Sequence, residues 1–175
     1  DGHGLVNLVI DHYDGGRQMG EYLKRLGHKK VLCIADNDIC MDHERYLGLC
    51  EALPEAELMV VPIQKTKRRA FYREHRSELL RVTAVFAVSD YYAVDLMQFL
   101  HTENIRVPEQ IAVAGFDDSM MSRQTVPELT TIGQDHASRA RLAIELLEKL
   151  QRHEETELVY RLPVTLIERD STRIK

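Results

Sequence analysis

Short apolar runs, each closed by polar residues, alternate along the first two thirds of the chain with stretches of helical period. Leu5–Ile10 ends at Asp11, Val31–Ala35 at Asp36-Asn37-Asp38, and Leu58–Ile63 leads to Gln64-Lys65-Thr66. Thr83–Val88 ends at Ser89-Asp90, and Ile111–Ala114 runs through Gly115 and Phe116 to Asp117-Asp118. Runs this short, with no polar alternation, suit strands buried on both faces of a parallel sheet. Met19, Tyr22, Leu23 and Leu26 recur at i, i+3, i+4 and i+7, which predicts a helix with Asp14 as N-cap and Gly27 as its stop. A second helix is predicted over 43–53, capped by Asp42 and ended by Pro54. A third is predicted over 67–80 with Thr66 as cap, and a fourth over 90–102 with Asp90 as cap. Strands alternating with helices predict an α/β fold, a doubly wound parallel sheet with right-handed crossovers. The five polar strand ends then share one rim, where such sheets bind ligands.

The pattern changes after Asp118. No clear period covers 119–128, and Pro127 leads into Leu129–Ile132. A helix over 135–152 carries Ala137, Ala140, Ala143, Ile144, Leu146, Leu147 and Leu150 as a wide apolar stripe that needs a partner surface. The extended segment Leu158–Ile167 contains Pro163, which suits an edge strand or a bulge.

Composition narrows the function classes. The 175 residues are 44% hydrophobic and 29% charged, with net charge −5, which as a whole is no match for nucleic acid. Residues 65–76 hold six basic groups and one acid, so the remainder carries about −10. No apolar span approaches the ~18 residues of a transmembrane helix, no signal peptide is visible, and a chain beginning at Asp1 reads as a fragment or processed piece. Cys33, Cys40 and Cys50 form no CxxC pair, which fits free thiols in a reducing cytoplasm.

Candidate chemistry is then a matter of elimination. No GxxxxGK[ST] occurs, and Gly15-Gly16 does not complete a GxGxxG after the first strand. There is no GxSxG elbow, and the eight histidines show no metal-ligand spacing, so no cofactor, metal or catalytic residue is expected. Asp11 and Asp14 loosely resemble a Mg²⁺-binding phosphoryl-transfer motif, but the D-x-x-D spacing departs from D-x-D. At the sheet rim Asp117 is a turn former or a ligand group, and Asp118 reads as a turn former. Arg45 stands beside the crevice, where a guanidinium can give forked hydrogen bonds to hydroxyls or a carboxylate. The basic run reads as a solvated helix face, or as a place where Lys65 or Lys67 meets an anionic effector such as a phosphorylated sugar.

Several stretches resemble one family. VIDHYDGGRQMGEYLKRLGHKKVLCIA, ERYLGLCEAL, FAVSDYYAVDLMQFLHTENIRVPEQIAVAGFDDSMMSRQTVPELTTIGQD and LPVTLIERDST are similar to segments of LacI/GalR-type bacterial regulators. The third is the most specific, through the spacing of SD, VP, GFDD, the proline and LTTI. The resemblance implies a type I periplasmic-binding-protein-like fold of two subdomains, present in part, with a small-molecule effector in the cleft between them. It implies a homodimer that acts on transcription and binds DNA through an amino-terminal helix-turn-helix outside this chain, with no membrane partner. Residues 1–118 and 157–175 are expected to form the carboxyl-terminal, effector-binding subdomain. Residues 119–156 are expected to be a crossover and a helix of the other subdomain. Carried over, Arg45 and Asp117 match effector-contacting positions, Ser89 falls where some relatives have a sugar-contacting asparagine, and His136 falls where an aromatic lines the cleft. Asp11, Lys65 and Lys67 complete the candidate ligand-binding set. The runner-up reading is an extracytoplasmic sugar-binding protein of a transporter. A metal-dependent phosphoryl-transfer enzyme is a more distant alternative.

Overall fold

The computed structural model describes residues 5–173, so residues 1–4 and 174–175 of the expected domain spans lie outside the described residues. Its main sheet has six strands in the order β3 (Glu57–Val60), β2 (Val31–Ala35), β4 (Ala84–Ala87), β5 (Ala112–Asp117), β6 (Thr130–Gln134) and β8 (Val164–Ile167). All neighbours are parallel except β6 and β8, which run antiparallel. Every residue of β2 and β4 is buried, as strands covered on both faces require.

The first predicted strand is not in this sheet. β1 (Asn7–Ile10) pairs in parallel with β7 (Val159–Leu162) in a separate two-stranded sheet, so Asp11 does not belong to the rim formed by the other strand ends. Period and apolarity mark a segment as a strand, but only the chain path decides its partner. The expected single segment Leu158–Ile167 is two strands: the chain passes from β7 in the small sheet, through Pro163, to β8 at the edge of the main one. The free edge of β8 is not left bare. The Gln18 amide donates to the Val164 carbonyl at 3.0 Å and accepts from the Leu166 N–H at 3.1 Å. The main sheet also extends past the boundary expected at 118, because β6 pairs with β5 from Ala114↔Thr130 to Asp117↔Gly133.

The helices are α1 (His12–Arg25), α2 (Cys40–Ala52), α3 (Lys65–Glu74), the single turn α4 (Arg76–Leu79), α5 (Asp90–Thr102) and α6 (His136–Gln151). Four caps differ from expectation. Asp11 rather than Asp14 caps α1, accepting from the Asp14 N–H at 3.0 Å. α2 starts three residues early at Cys40, with Ile39 as cap, and Asp42 lies inside its first turn. Gln64 rather than Thr66 precedes α3, and Ser89 rather than Asp90 precedes α5. The stop of α1 is as predicted. Gly27 adopts φ +90°, its N–H reaches the Lys24 carbonyl at 2.9 Å, and the His28 N–H reaches that of Leu23 at 3.0 Å.

Glycines set how α1 meets α2. A Cβ on Gly16 would lie 2.0 Å from the Arg45 carbonyl oxygen, and one on Gly48 would lie 2.0 Å from that of Tyr13. The two helices therefore pack backbone against backbone, which brings the start of α1 to the middle of α2. Gly15-Gly16 is a packing device here, not a phosphate loop. The α6 stripe is mostly uncovered: Leu146 is buried, while Ile144 and Leu147 are each 60% exposed.

Candidate functional site

Four segments distant in sequence converge at the carboxyl ends of β4, β5 and β6. The Arg45 side chain, on the second turn of α2, is 8% exposed. Its Nη1 donates to the carbonyl of Val88 at the end of β4, and the guanidinium lies 3.8 Å from the centroid of the Phe116 ring. Its Nε and Nη2 both reach His12 Nδ1 at 3.2 Å. A guanidinium only donates, so Nδ1 accepts and the neutral ring carries its proton on Nε2. The protonation balance agrees, because burial and then the Arg45 charge push His12 down to about 4.

Asp117 closes the other side. Arg45 Nη2 stands 3.8 Å from its Oδ1, and Gln134 Nε2 donates to that oxygen at 2.9 Å. The pairing of Asp117 with Gly133 puts Gln134 in reach. Burial, together with the nearby Asp90, pushes the Asp117 carboxyl up to about 6 against the pull of Arg45, Gln134 and His136. Its backbone sits at φ +113°, followed by Asp118 at +49°, a conformation that costs non-glycine residues roughly 1–3 kcal/mol and that clusters at ligand sites. Asp118 is tied down instead, accepting from Arg123 Nη2 at 2.7 Å and Arg169 Nη2 at 2.5 Å, side-chain partners rather than the local backbone bonds of a turn former.

His12, Arg45 and Gln134 border a cleft of about 430 Å³ between the small sheet and the main domain, which Asp117 adjoins through Arg45 and Gln134 without lining it. Leu8, Val9, Ile10 and Val159 give it an apolar wall; His12, Arg45, Gln134, Arg139, Arg161 and Glu44 give it polar ones, with Met41 at the side. An apolar wall facing a few converging polar groups is the general form of a small-molecule site.

Of the predicted set only Arg45 lines the cleft. Arg45 and Asp117 face each other, and Ser89 sits half-buried just beyond β4. His136, the first residue of α6, is exposed but close enough for its charge to act on Asp117. Asp11 is engaged as the cap of α1, with Arg161 Nη1 at 3.8 Å from its carboxylate. Lys65 turns to α5, where its Nζ lies 3.4 Å from Asp95 and 3.3 Å from the Gln98 amide oxygen. Lys67 is exposed, and neither lysine lines the cleft.

The basic run is also not simply a solvated face, since Arg68 within it is fully buried. Its Nε meets Asp95 at 2.7 Å and its Nη1 caps the Pro62 and Ile63 carbonyls at 3.1 and 2.7 Å. Asp90 is likewise a tie rather than a cap, accepting from the Ser119 N–H at 2.7 Å and the Thr131 hydroxyl at 2.6 Å. Gly115 leaves room for that carboxylate, since a Cβ there would lie 2.4 Å from Asp90 Oδ1.

His12, Gln134, Arg139 and Arg161 were not singled out from sequence. His12 and Gln134 had a local signal, standing two residues after a strand or at its last position. Arg139 and Arg161 had none.

Residues 21–172 match the periplasmic binding protein-like domain family. The chain belongs to that family. Among curated proteins it is 32% identical over 161 residues to the HTH-type transcriptional repressor PurR of Haemophilus influenzae, covering 86% of this chain and 48% of that protein. It is 30% identical over 134 residues to the HTH-type transcriptional regulator DegA of Bacillus subtilis, covering 73% of this chain and 40% of that one. The chain thus spans about half the length of the curated relatives it matches. Among solved structures, a periplasmic binding protein/LacI transcriptional regulator from Alkaliphilus metalliredigens, complexed with D-xylulofuranose, superimposes with a TM-score of 0.88 at 25% identity, over 98% of this chain and 67% of that one. A LacI family regulator from Enterococcus faecium with bound ribose gives 0.85 at 26% identity, over the same 98% and 67%. The parallel α/β architecture is therefore the periplasmic-binding-protein type I fold, present in part. Among the described residues no helix is long and apolar enough to cross a membrane.

Proposed function

We propose that this chain is the ligand-sensing part of a cytoplasmic, DNA-binding transcriptional regulator, and that it binds a sugar or sugar derivative in the cleft at Arg45 and Asp117. The observation that carries the reading is the convergence of Arg45, His12, Gln134 and Asp117 beside an apolar wall. A buried guanidinium and a partly buried carboxylate, each held by a neutral partner, present a donor and an acceptor suited to a polyhydroxylated ring. The cleft lies between two sheets joined by the β1–α1 and β7–β8 connections. Occupancy can thus be reported by closure of one unit on the other, without any chemical step.

The HTH-type regulators among the relatives support a regulator over a transporter receptor or a phosphoryl-transfer enzyme. In this reading a helix-turn-helix unit elsewhere in the protein contacts DNA. The small sheet and α6 belong to the second subdomain. The protein works as a homodimer, for which the groove along Met97 and the 98% exposed Val126 supply an apolar surface.

The test is a thermal-shift screen of sugars, sugar phosphates and nucleobases on the full-length protein and on Arg45→Gln. At least one compound should raise Tm in the parent, and the variant should lose that response while keeping its far-UV circular dichroism. Equal responses in both proteins would refute the assignment.

A further inference from the structure

The cleft carries a charge pattern that a neutral sugar does not need. Its lining holds three guanidiniums, of Arg45, Arg139 and Arg161, against one carboxylate, of Glu44, with the carboxylates of Asp117 and Asp11 just outside it, 3.8 Å from Arg45 and Arg161. Arg45 gives three of its five N–H groups to Val88 and His12 and lies over the Phe116 ring, which leaves two donors for a ring hydroxyl. The other two guanidiniums are not so committed. Arg161, on β7, is 56% exposed, and its nearest carboxylate, 3.8 Å away, is that of Asp11, which already caps α1. Arg139, on the first turns of α6, makes no side-chain hydrogen bond or ion pair among the described residues. The first turn of that helix holds no acid, and its cap Asp135 is engaged with the Ser138 N–H at 2.9 Å. Burial first, and then the charges of Arg45, Arg161 and Arg139 against that of Asp11, hold the His12 ring in its neutral form, so these charges act on one wall of the cleft.

We propose that the effector is an anionic sugar, a phosphate ester or a sugar acid, whose anion is taken by Arg139 and Arg161 while Arg45 and Asp117 take the hydroxylated ring. The inference rests on the cleft being the effector site. It also moves the anion contact away from Lys65 and Lys67, which the fold directs elsewhere. Two guanidiniums on separate elements suit this role because each can grip phosphate or carboxylate with paired N–H groups.

The experiment is isothermal titration of the full-length protein with matched probes: ribose, glucose and fructose, their phosphate esters, glucuronate, and inorganic phosphate alone. The expected result is an ester or acid binding at least about tenfold more tightly than its neutral parent, with an affinity that falls as salt rises. Arg139→Gln/Arg161→Gln should remove that preference with Tm unchanged. An ester and an acid that differ from each other would distinguish the two anions. Neutral sugars binding as tightly as their esters, and lost in Arg45→Gln, would overturn the anion inference and leave the cleft as the effector site. Inorganic phosphate matching the esters would overturn it too, by assigning a site for a free anion. If no probe binds, the anion inference is overturned. The thermal-shift screen then decides whether the cleft reading also falls.

Discussion

Replacing Asp117 by asparagine should make the protein more stable and, at the same time, less able to bind the effector proposed for it. Burial raises this carboxyl from its usual 3.8 to about 6 in the folded protein. Between those values the native state holds more protons than the unfolded one, so the carboxyl's contribution to stability falls as pH rises, and its full cost is present above about pH 6. Two units at 1.36 kcal/mol each would be about 3 kcal/mol. The side chain is 35% exposed, however, and solvent screening reduces this to about 1–2 kcal/mol.

Asparagine keeps an oxygen for Gln134 Nε2 and tolerates the positive φ, but it carries no charge. Urea unfolding followed by circular dichroism, in half-unit steps from pH 3.5 to 7.5, should show Asp117→Asn more stable by about 1–2 kcal/mol at pH 7.5. The two proteins should converge below about pH 4. His12 works in the opposite sense: its depressed value means that its contribution is complete above about 6.5 and is lost as pH falls toward about 4. In the parent the two slopes oppose each other, so the variant should lose stability more steeply on acidification. A variant no more stable at pH 7.5, or a difference independent of pH, would refute the account.

Two further substitutions probe the scaffold behind the site. Gly48→Ala places a methyl against the Tyr13 carbonyl and must push α1 from α2, for about 2–3 kcal/mol of destabilisation. This should appear as a Tm lower by roughly 5–10 °C, and an unchanged Tm would mean that the helices do not meet as described. Arg68→Met leaves Asp95, 2% exposed, with only its outer partners Lys65 and Arg69, and should cost about 2–4 kcal/mol in denaturant unfolding. Adding Asp95→Leu should restore at least half of that loss, and a double variant no better than the single one would show that the pair is not what the cost reports.

The sequence by itself determined most of the elements and four of the five expected rim positions. Unbroken apolar runs could be satisfied only as strands covered on both faces, so β2, β4 and β5 stand where their hydrophobicity puts them. The 90–102 period became α5 with its predicted ends. Asp117 was legible as a rim residue because it ends such a strand, and Arg45 because it stands on the helix after the polar end of β2, while their role toward a ligand came from the family resemblance. Neither their facing geometry nor its consequences for protonation could be read there.

What only the tertiary structure decided is which segments meet. Backbone pairing is not written into a strand's own residues, so β1 left the main sheet for β7, and Leu158–Ile167 divided between two sheets. Charge in a sequence likewise has no direction. Lys65 turned to α5, Arg68 went into the core, and Arg161 came instead to the cleft opened beside Arg45. Local pattern is set by what each segment must bury. The candidate site is set by chain crossings that bring residues 12, 45, 117, 134, 139 and 161 together, and no local pattern encodes those distances.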